Sequence, residues 1–299
     1  MDGNDDKRRS GDSRKRRASH GQRDRGERGG QGRETSGRTR REPAGIERAQ
    51  RRPDAPPRAM ATQKGSGAPR PSAREPELSK DAPVDLAKGA RRDVERATAD
   101  KETAHRLLQH ATAAFAALDE REGRVALPHL QYLKARLPRT GFIREALGVA
   151  LYLTESYKDA LSELQAFRRL TGSVDQNHLM ADCIRAVGDG EHRIPGLIEE
   201  MENAEEAPAD AARYEGRIVW ASWLADSGDV GAGRAVLTDI LEEAVADDDV
   251  DEHHLRLWYV AGDLAQRAGD DATARRWFGR ITEVARGFFD TEERLEQVT

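Results

Sequence analysis

Between Arg144 and Gly172 the apolar residues fall on two stripes. Leu147, Gly148 and Leu151 share one face of a first stretch; Ala160, Leu164 and Phe167 share one face of a second. Intervals of three and four residues place side chains on the same side of an α-helix. The pattern predicts two amphipathic helices, Arg144–Leu153 and Lys158–Leu170, joined by a tight turn at Thr154–Tyr157. Glycine inside a helix costs about 1 kcal/mol relative to alanine, so Gly148 predicts a very close approach by a neighbouring helix.

The pattern recurs. From Ala87 onward, alanine, leucine and charged helix formers dominate, and turn residues arrive at intervals. The alternation expected of strands is missing, so an all-α body is predicted. Aligned on the small residue of each first helix, the units centre on Ala114, Gly148, Ala181, Ala221 and Gly262, with steps of 34, 33, 40 and 41 residues. The last unit runs Trp258, Ala261-Gly262 and Ala265, turns at Gly269-Asp270, and continues with Ala274 and Phe278. The first runs Ala113-Ala114, Ala117, Ala126 and Leu130, and closes on Pro138. In the third, Met180-Ala181 and Ile184 lead to a turn at Gly188–Gly190, with Arg193 where a small residue is expected and Pro195 just after. Proline is tolerated in a first turn, so that second helix is predicted to start near Ile194. The fourth carries Trp220-Ala221 and Leu224, a turn at Gly228-Asp229, then Gly233 and Leu237. Its surplus residues are assigned to loops at Glu205–Asp210 and Ala246–Glu252.

A helix-turn-helix unit with a period near 34 residues resembles the tetratricopeptide repeat, here over about residues 90–286. The resemblance implies a right-handed α-solenoid of about five units within residues 81–299, with a C-terminal capping helix in which Phe288-Phe289 fill the open end. It also implies that the first helices line a concave face. Phe115, Val149 and Tyr152 would lie near the start of that face. Further along it come the candidate partner-binding residues His178, Asp182, Arg185, Asp226, Tyr259, Asp263 and Arg267. The competing reading of these polar residues is a solvated helix face with local ion pairs. Family members that bind chaperone tails grip a carboxylate with lysine, arginine and asparagine. The matching first-unit positions here are Ala111 and Phe115, so that mode is not expected. The chain is also similar to an uncharacterised tetratricopeptide family of actinobacteria with a basic low-complexity head. Arg144-Glu145-Ala146-Leu147-Gly148, Arg168-Arg169-Leu170-Thr171-Gly172 and Met180-Ala181-Asp182-Cys183 carry that likeness, which implies no known activity.

Charge divides the chain. Residues 1–80 hold 22 Lys and Arg against 12 Asp and Glu, a net of +10; residues 81–299 hold 27 against 42, a net of −15. No Phe, Tyr or Trp occurs before Phe115. So apolar-poor an arm cannot offset its ordering entropy and is expected to stay disordered. Lys7, Arg8, Arg9, Arg14, Lys15, Arg16 and Arg17 are its candidate nucleic-acid contacts, with Arg28-Gly29-Gly30 beyond them. They would meet phosphates through charge alone, because no aromatic is interleaved to stack on bases. The leading reading of the arm is a solubilising, poorly constrained extension; a further one has it lying on the acidic body and blocking the groove. The body's own charge favours a basic protein partner.

The search for chemistry yields little. A single cysteine, Cys183, excludes an internal disulfide, fits a reducing compartment and reads as a packing residue. His253-His254 stand beside Asp247, Asp248, Asp249, Asp251 and Glu252. Adjacent histidines on a helix diverge by about 100°, and Glu252 stands where a calcium loop needs glycine, so no metal is expected. Gly188-x-Gly190 lacks a third glycine, and no phosphate-binding loop is present, so no cofactor is expected either. No apolar run approaches the roughly 18 residues of a membrane span, and the first residues lack the apolar core of a secretory signal. The expectation is a cytoplasmic, non-enzymatic protein–protein interaction scaffold with no small-molecule substrate. The alternative is a protein that binds RNA or DNA nonspecifically through its arm.

Overall fold

A computed structural model describes residues 74–206, 208–246 and 249–299, and all the regular structure among them is helical. A short helix α1 (Lys88–Ala97) packs on α2 (Lys101–Asp119). Hairpins follow: α2 with α3 (Gly123–Arg136), α4 (Gly141–Leu153) with α5 (Tyr157–Thr171), and α6 (Asn177–Val187) with α7 (Ile194–Glu202). Next, α8 (Asp210–Asp226) pairs with α9 (Val230–Ala235), which leads into α10 (Thr238–Ala246). The last hairpin is α11 (Glu252–Arg267) with α12 (Asp271–Val284), and α13 (Thr291–Gln297) packs against α12. Local chemistry sets these ends. Asp100 caps α2 by accepting from the Thr103 amide at 2.7 Å, and Asp270 caps α12 through Thr273 at 3.1 Å. Gly172 and Gly188, with φ of 71° and 73°, close α5 and α6 in a left-handed conformation that glycine adopts without strain.

The pair predicted from the opening stripes is α4 and α5, each slightly longer than expected. Gly148 faces α5 so closely that an added Cβ would lie 2.5 Å from Cδ2 of Leu164. Gly262 stands in the same relation to Phe278, at 2.7 Å, in the last hairpin. These two glycines let paired helices pack backbone against side chain. Buried Glu163 of α5 fastens the second hairpin to the first by pairing with Lys134 of α3 on one oxygen, and with its other oxygen accepts from Arg144 of its own hairpin at 2.6 Å.

Two hydrophobic cores result. The first runs from Val94 to Val219, the second from Tyr214 to Val298. Helix α8 serves both: Ala212, Val219, Trp220 and Trp223 face the first, and Tyr214, Ile218, Ala221 and Ala225 the second. Trp258 and Phe278 are fully buried, and Trp277 and Tyr259 nearly so.

Three expectations are corrected. The folded body begins earlier than residue 81, because an extended strap before α1 docks on α2. Arg106 donates to the carbonyls of Leu78 and Ser79, Gln109 donates to those of Lys80 and Ala82, and Glu75 meets Arg106 and His110. The contacts are largely to backbone carbonyls, which carry no hydrophobic pattern. The second helix of the fourth unit is broken between α9 and α10. Arg217 donates to the Val236 carbonyl at 2.7 Å and so offers it a partner outside a continuous helix. Phe288 and Phe289 lie in the turn before α13 rather than in a helix. Phe289 has φ 52°, and its ring packs edge-on against Tyr259 at 5.2 Å.

Candidate polar row

The first helices present most of the candidate residues in one line. On α6, Asp182 and Arg185 stand three residues apart; on α11, Tyr259, Asp263 and Arg267 stand at successive intervals of four. Such spacing puts each set on one helix face. Asp226 ends α8 between them.

The contacts run from helix to helix. The Tyr152 hydroxyl of α4 donates to Asp182 Oδ2 at 2.6 Å, and Arg185 donates to Asp182 Oδ1 at 3.1 and 3.2 Å. Arg185 also reaches Asp226 Oδ2 at 3.5 Å, while Arg267 takes Asp226 Oδ1 at 3.4 Å and the Ala225 carbonyl at 2.9 Å. Arg267 lies 3.8 Å from Asp263, whose other contact is Arg294 of α13 at 2.5 Å. Arg294 donates to the Tyr259 hydroxyl at 3.4 Å, and that hydroxyl donates to Asp290 at 2.6 Å. The line thus alternates acid and base across α4, α6, α8, α11 and α13.

Its middle is open to solvent: the Asp226 side chain is 48% exposed, and those of Arg185 and Arg267 are each 37% exposed. Its ends are not. Burial, reinforced by Asp182, holds the Tyr152 phenol well above its ordinary range, so it remains a proton donor in its hydrogen bond. Burial alone would lower the Arg185 guanidinium, but Asp182 and then Asp226 outweigh it and raise it.

Comparison with protein-family models, curated proteins and solved structures gave no match. The reading of the row therefore rests on its geometry. Six of the seven candidate residues belong to it, Tyr259 by its hydroxyl alone because the ring is buried. His178 does not. It sits one turn before Asp182 and is buried, so it lines no exposed face. Burial pushes its ring down to about 4, with the Glu215 carboxylate acting partly against that. Val149 is buried as well, and Phe115 turns towards Phe142, at 6.1 Å between rings. The candidate arm residues Lys7, Arg8, Arg9, Arg14, Lys15, Arg16 and Arg17 lie outside the described residues.

The paired histidines do separate. His253 approaches Glu215 at 3.4 Å, whereas His254 turns to Asp251 at 2.7 Å in a capping box at the start of α11. Glu215 is buried and also holds Arg256 through two bonds, at 2.6 and 3.0 Å. Its burial favours the neutral form, yet Arg256 and His253 bring its carboxyl below the ordinary value. Among the described residues no group of three or more His, Cys, Asp or Glu is placed to hold a metal; Asp247 and Asp248 lie outside them. Cys183 is fully buried, and burial pushes its thiol up, with the Asp182 charge adding to it. No helix among the described residues is long and apolar enough to cross a membrane.

Sequence reading missed Arg294 and Asp290, which end the row beyond the last repeat, and the Glu215–Arg256 pair. Arg294 occupies no repeat position. Glu215 stands eight residues before Trp223 on α8, and nothing in the local pattern distinguishes it from an exposed glutamate.

Proposed function

We propose that this chain is a cytoplasmic, non-enzymatic protein-interaction scaffold, a tetratricopeptide-like solenoid whose polar row receives a segment of a partner protein. The observation that carries the reading is the continuous alternation of charged groups across successive hairpins, half open at Asp226. An exposed ion pair is worth only about 0–1 kcal/mol, so a partner's charges can exchange with these at little cost. Charge alternation of this kind sets register and selects partners more than it supplies affinity. The acidic balance of residues 81–299 favours a basic segment, whose lysine or arginine would compete with Arg185 and Arg267 for Asp226.

The test is a pull-down of full chain and of Asp226→Lys, with identification of what each captures. A protein retained by the wild type and lost with Asp226→Lys, at unchanged circular dichroism, supports the row. Identical capture overturns it. A second pair, the full chain and residues 74–299 with and without nuclease, addresses the charged arm. Capture that needs residues 1–73 and disappears with nuclease would favour the nucleic-acid reading that their basic charge motivates. The cut is placed before Arg74 because Glu75 to Ala82 belong to the docked strap.

A further inference from the structure

On the other side of α6 lies a hollow of about 370 Å³ lined by residues of α5, α6, the turn before α7 and α7 itself. Met180 and Ile184 form part of its wall. They stand two residues either side of Asp182, so they occupy the helix face opposite the polar row. Leu197 adds a third apolar side chain, and three arginines, Arg168, Arg169 and Arg193, complete the setting.

The arginines are held unequally. Arg168 is paired with Glu200. Arg193 donates from Nε to the Gly190 carbonyl at 3.2 Å, and its guanidinium lies so close to the turn that a Cβ added at residue 190 would stand 2.7 Å from Nη2. Gly190 has φ 78°, so both its conformation and its missing side chain let the guanidinium fold back against the turn. Arg169 is exposed and meets no carboxylate among the described residues. Two guanidinium groups thus stand without an acidic partner in a body whose charge is strongly negative, and one of them is already positioned. At Glu163, Asp182, Glu215, Asp226 and Asp263 acids and arginines satisfy one another, so what marks this place is that two unpaired arginines line one hollow, not the want of a carboxylate alone.

We propose that this hollow is a second docking site, and that it receives an acidic peptide segment carrying an apolar residue next to its carboxylates. Guanidinium forks match carboxylates through paired hydrogen bonds. Met180 and Leu197, each less than a tenth exposed, leave only a narrow apolar floor for the neighbouring residue, and Ile184 lies wholly beneath it. The chain's own residues 1–80 have the wrong sign to fill it, being net +10. The site is independent of the row, so failure at one leaves the other standing.

Fluorescence anisotropy of the full chain tests it. The probe is a fluorescein-labelled peptide of four Glu-Glu-Leu repeats; its Gln-Gln-Leu counterpart is the control. The Glu peptide should bind, and Arg169→Gln with Arg193→Gln should weaken it about tenfold or more. Asp226→Asn should leave it unchanged. Gly190→Ala, which displaces the Arg193 guanidinium without altering charge, should weaken it as well. Both arginines are exposed, and circular dichroism checks the fold of each variant. Equal binding of the Gln peptide, or affinity indifferent to both arginines, overturns the proposal. So does the absence of binding, or an oligouridylate that binds with the same arginine dependence where the peptide does not.

Discussion

The hydroxyl of Tyr152 donates to Oδ2 of Asp182 across 2.6 Å and so ties α4 to α6. The other oxygen of Asp182 is left to Arg185, which is thereby aimed at Asp226. Tyr152→Phe removes this anchor and leaves a partly buried carboxylate short of a donor. The expected loss is about 1–2 kcal/mol, read from urea denaturation. An unchanged midpoint would show that the bond contributes nothing to stability.

Gly148→Ala should destabilise the protein although alanine is the better helix former. A Cβ would lie 2.5 Å from Leu164 Cδ2, and relief must come from a shift of that fully buried side chain. Overpacking of this kind costs about 1–3 kcal/mol, against about 1 kcal/mol gained in propensity. Thermal melting of Gly148→Ala alone and with Leu164→Ala separates the two contributions. The second change should make the first less harmful.

Acid should weaken the fold well above the carboxylate range. His178 is held near 4, against 6.5 for a solvated ring, so the unfolded chain takes up a proton first. Stability is therefore lost as pH falls through that window. Between pH 6.5 and 5 this ring alone costs about 2 kcal/mol. His110 and His129, both lowered chiefly by burial, act in the same direction. Urea unfolding at the two pH values should show the loss, and His178→Gln should remove about that share of it.

Glu75 holds the strap. Hydrogen bonds from His110 and then Arg106 bring its carboxyl down to about 2, so its contribution is complete above 4.5 and fades as pH falls from there towards about 2. Glu75→Gln should speed hydrogen exchange in residues 78–86 by roughly three- to tenfold while α4 and α5 keep their protection. The measurement is exchange followed by mass spectrometry. Equal exchange in variant and wild type would mean that the backbone contacts from Arg106 and Gln109 hold the strap alone.

Much of the architecture was legible because it rests on local rules. The 3.6-residue stripe at Leu147, Leu151, Leu164 and Phe167 announced α4 and α5, and the interior glycine announced their closeness. Pro195 marked the start of α7 at Ile194. The surplus residues of the long units do fall between helices, before Asp210 and before Glu252. What escaped was set by contacts distant in sequence. The strap is held by carbonyls, which every residue carries. The break after α9 coincides with Arg217, nineteen residues earlier. In the row, helix periodicity placed Asp182, Arg185, Asp263 and Arg267 on common faces, but it could not tell that His178 points inward. That follows from how α6 packs against its neighbours, which one helix's own spacing does not record.

Helix α8 belongs to two cores at once, with alternate stripes of its surface committed to each. Neither half of the body can release α8 without stripping apolar cover from the other. Unfolding that begins at the α2 end, or at the α13 end, must therefore propagate or halt at this one segment. The cooperativity of the helical body among the described residues is set by how tightly some seventeen residues are gripped from both sides.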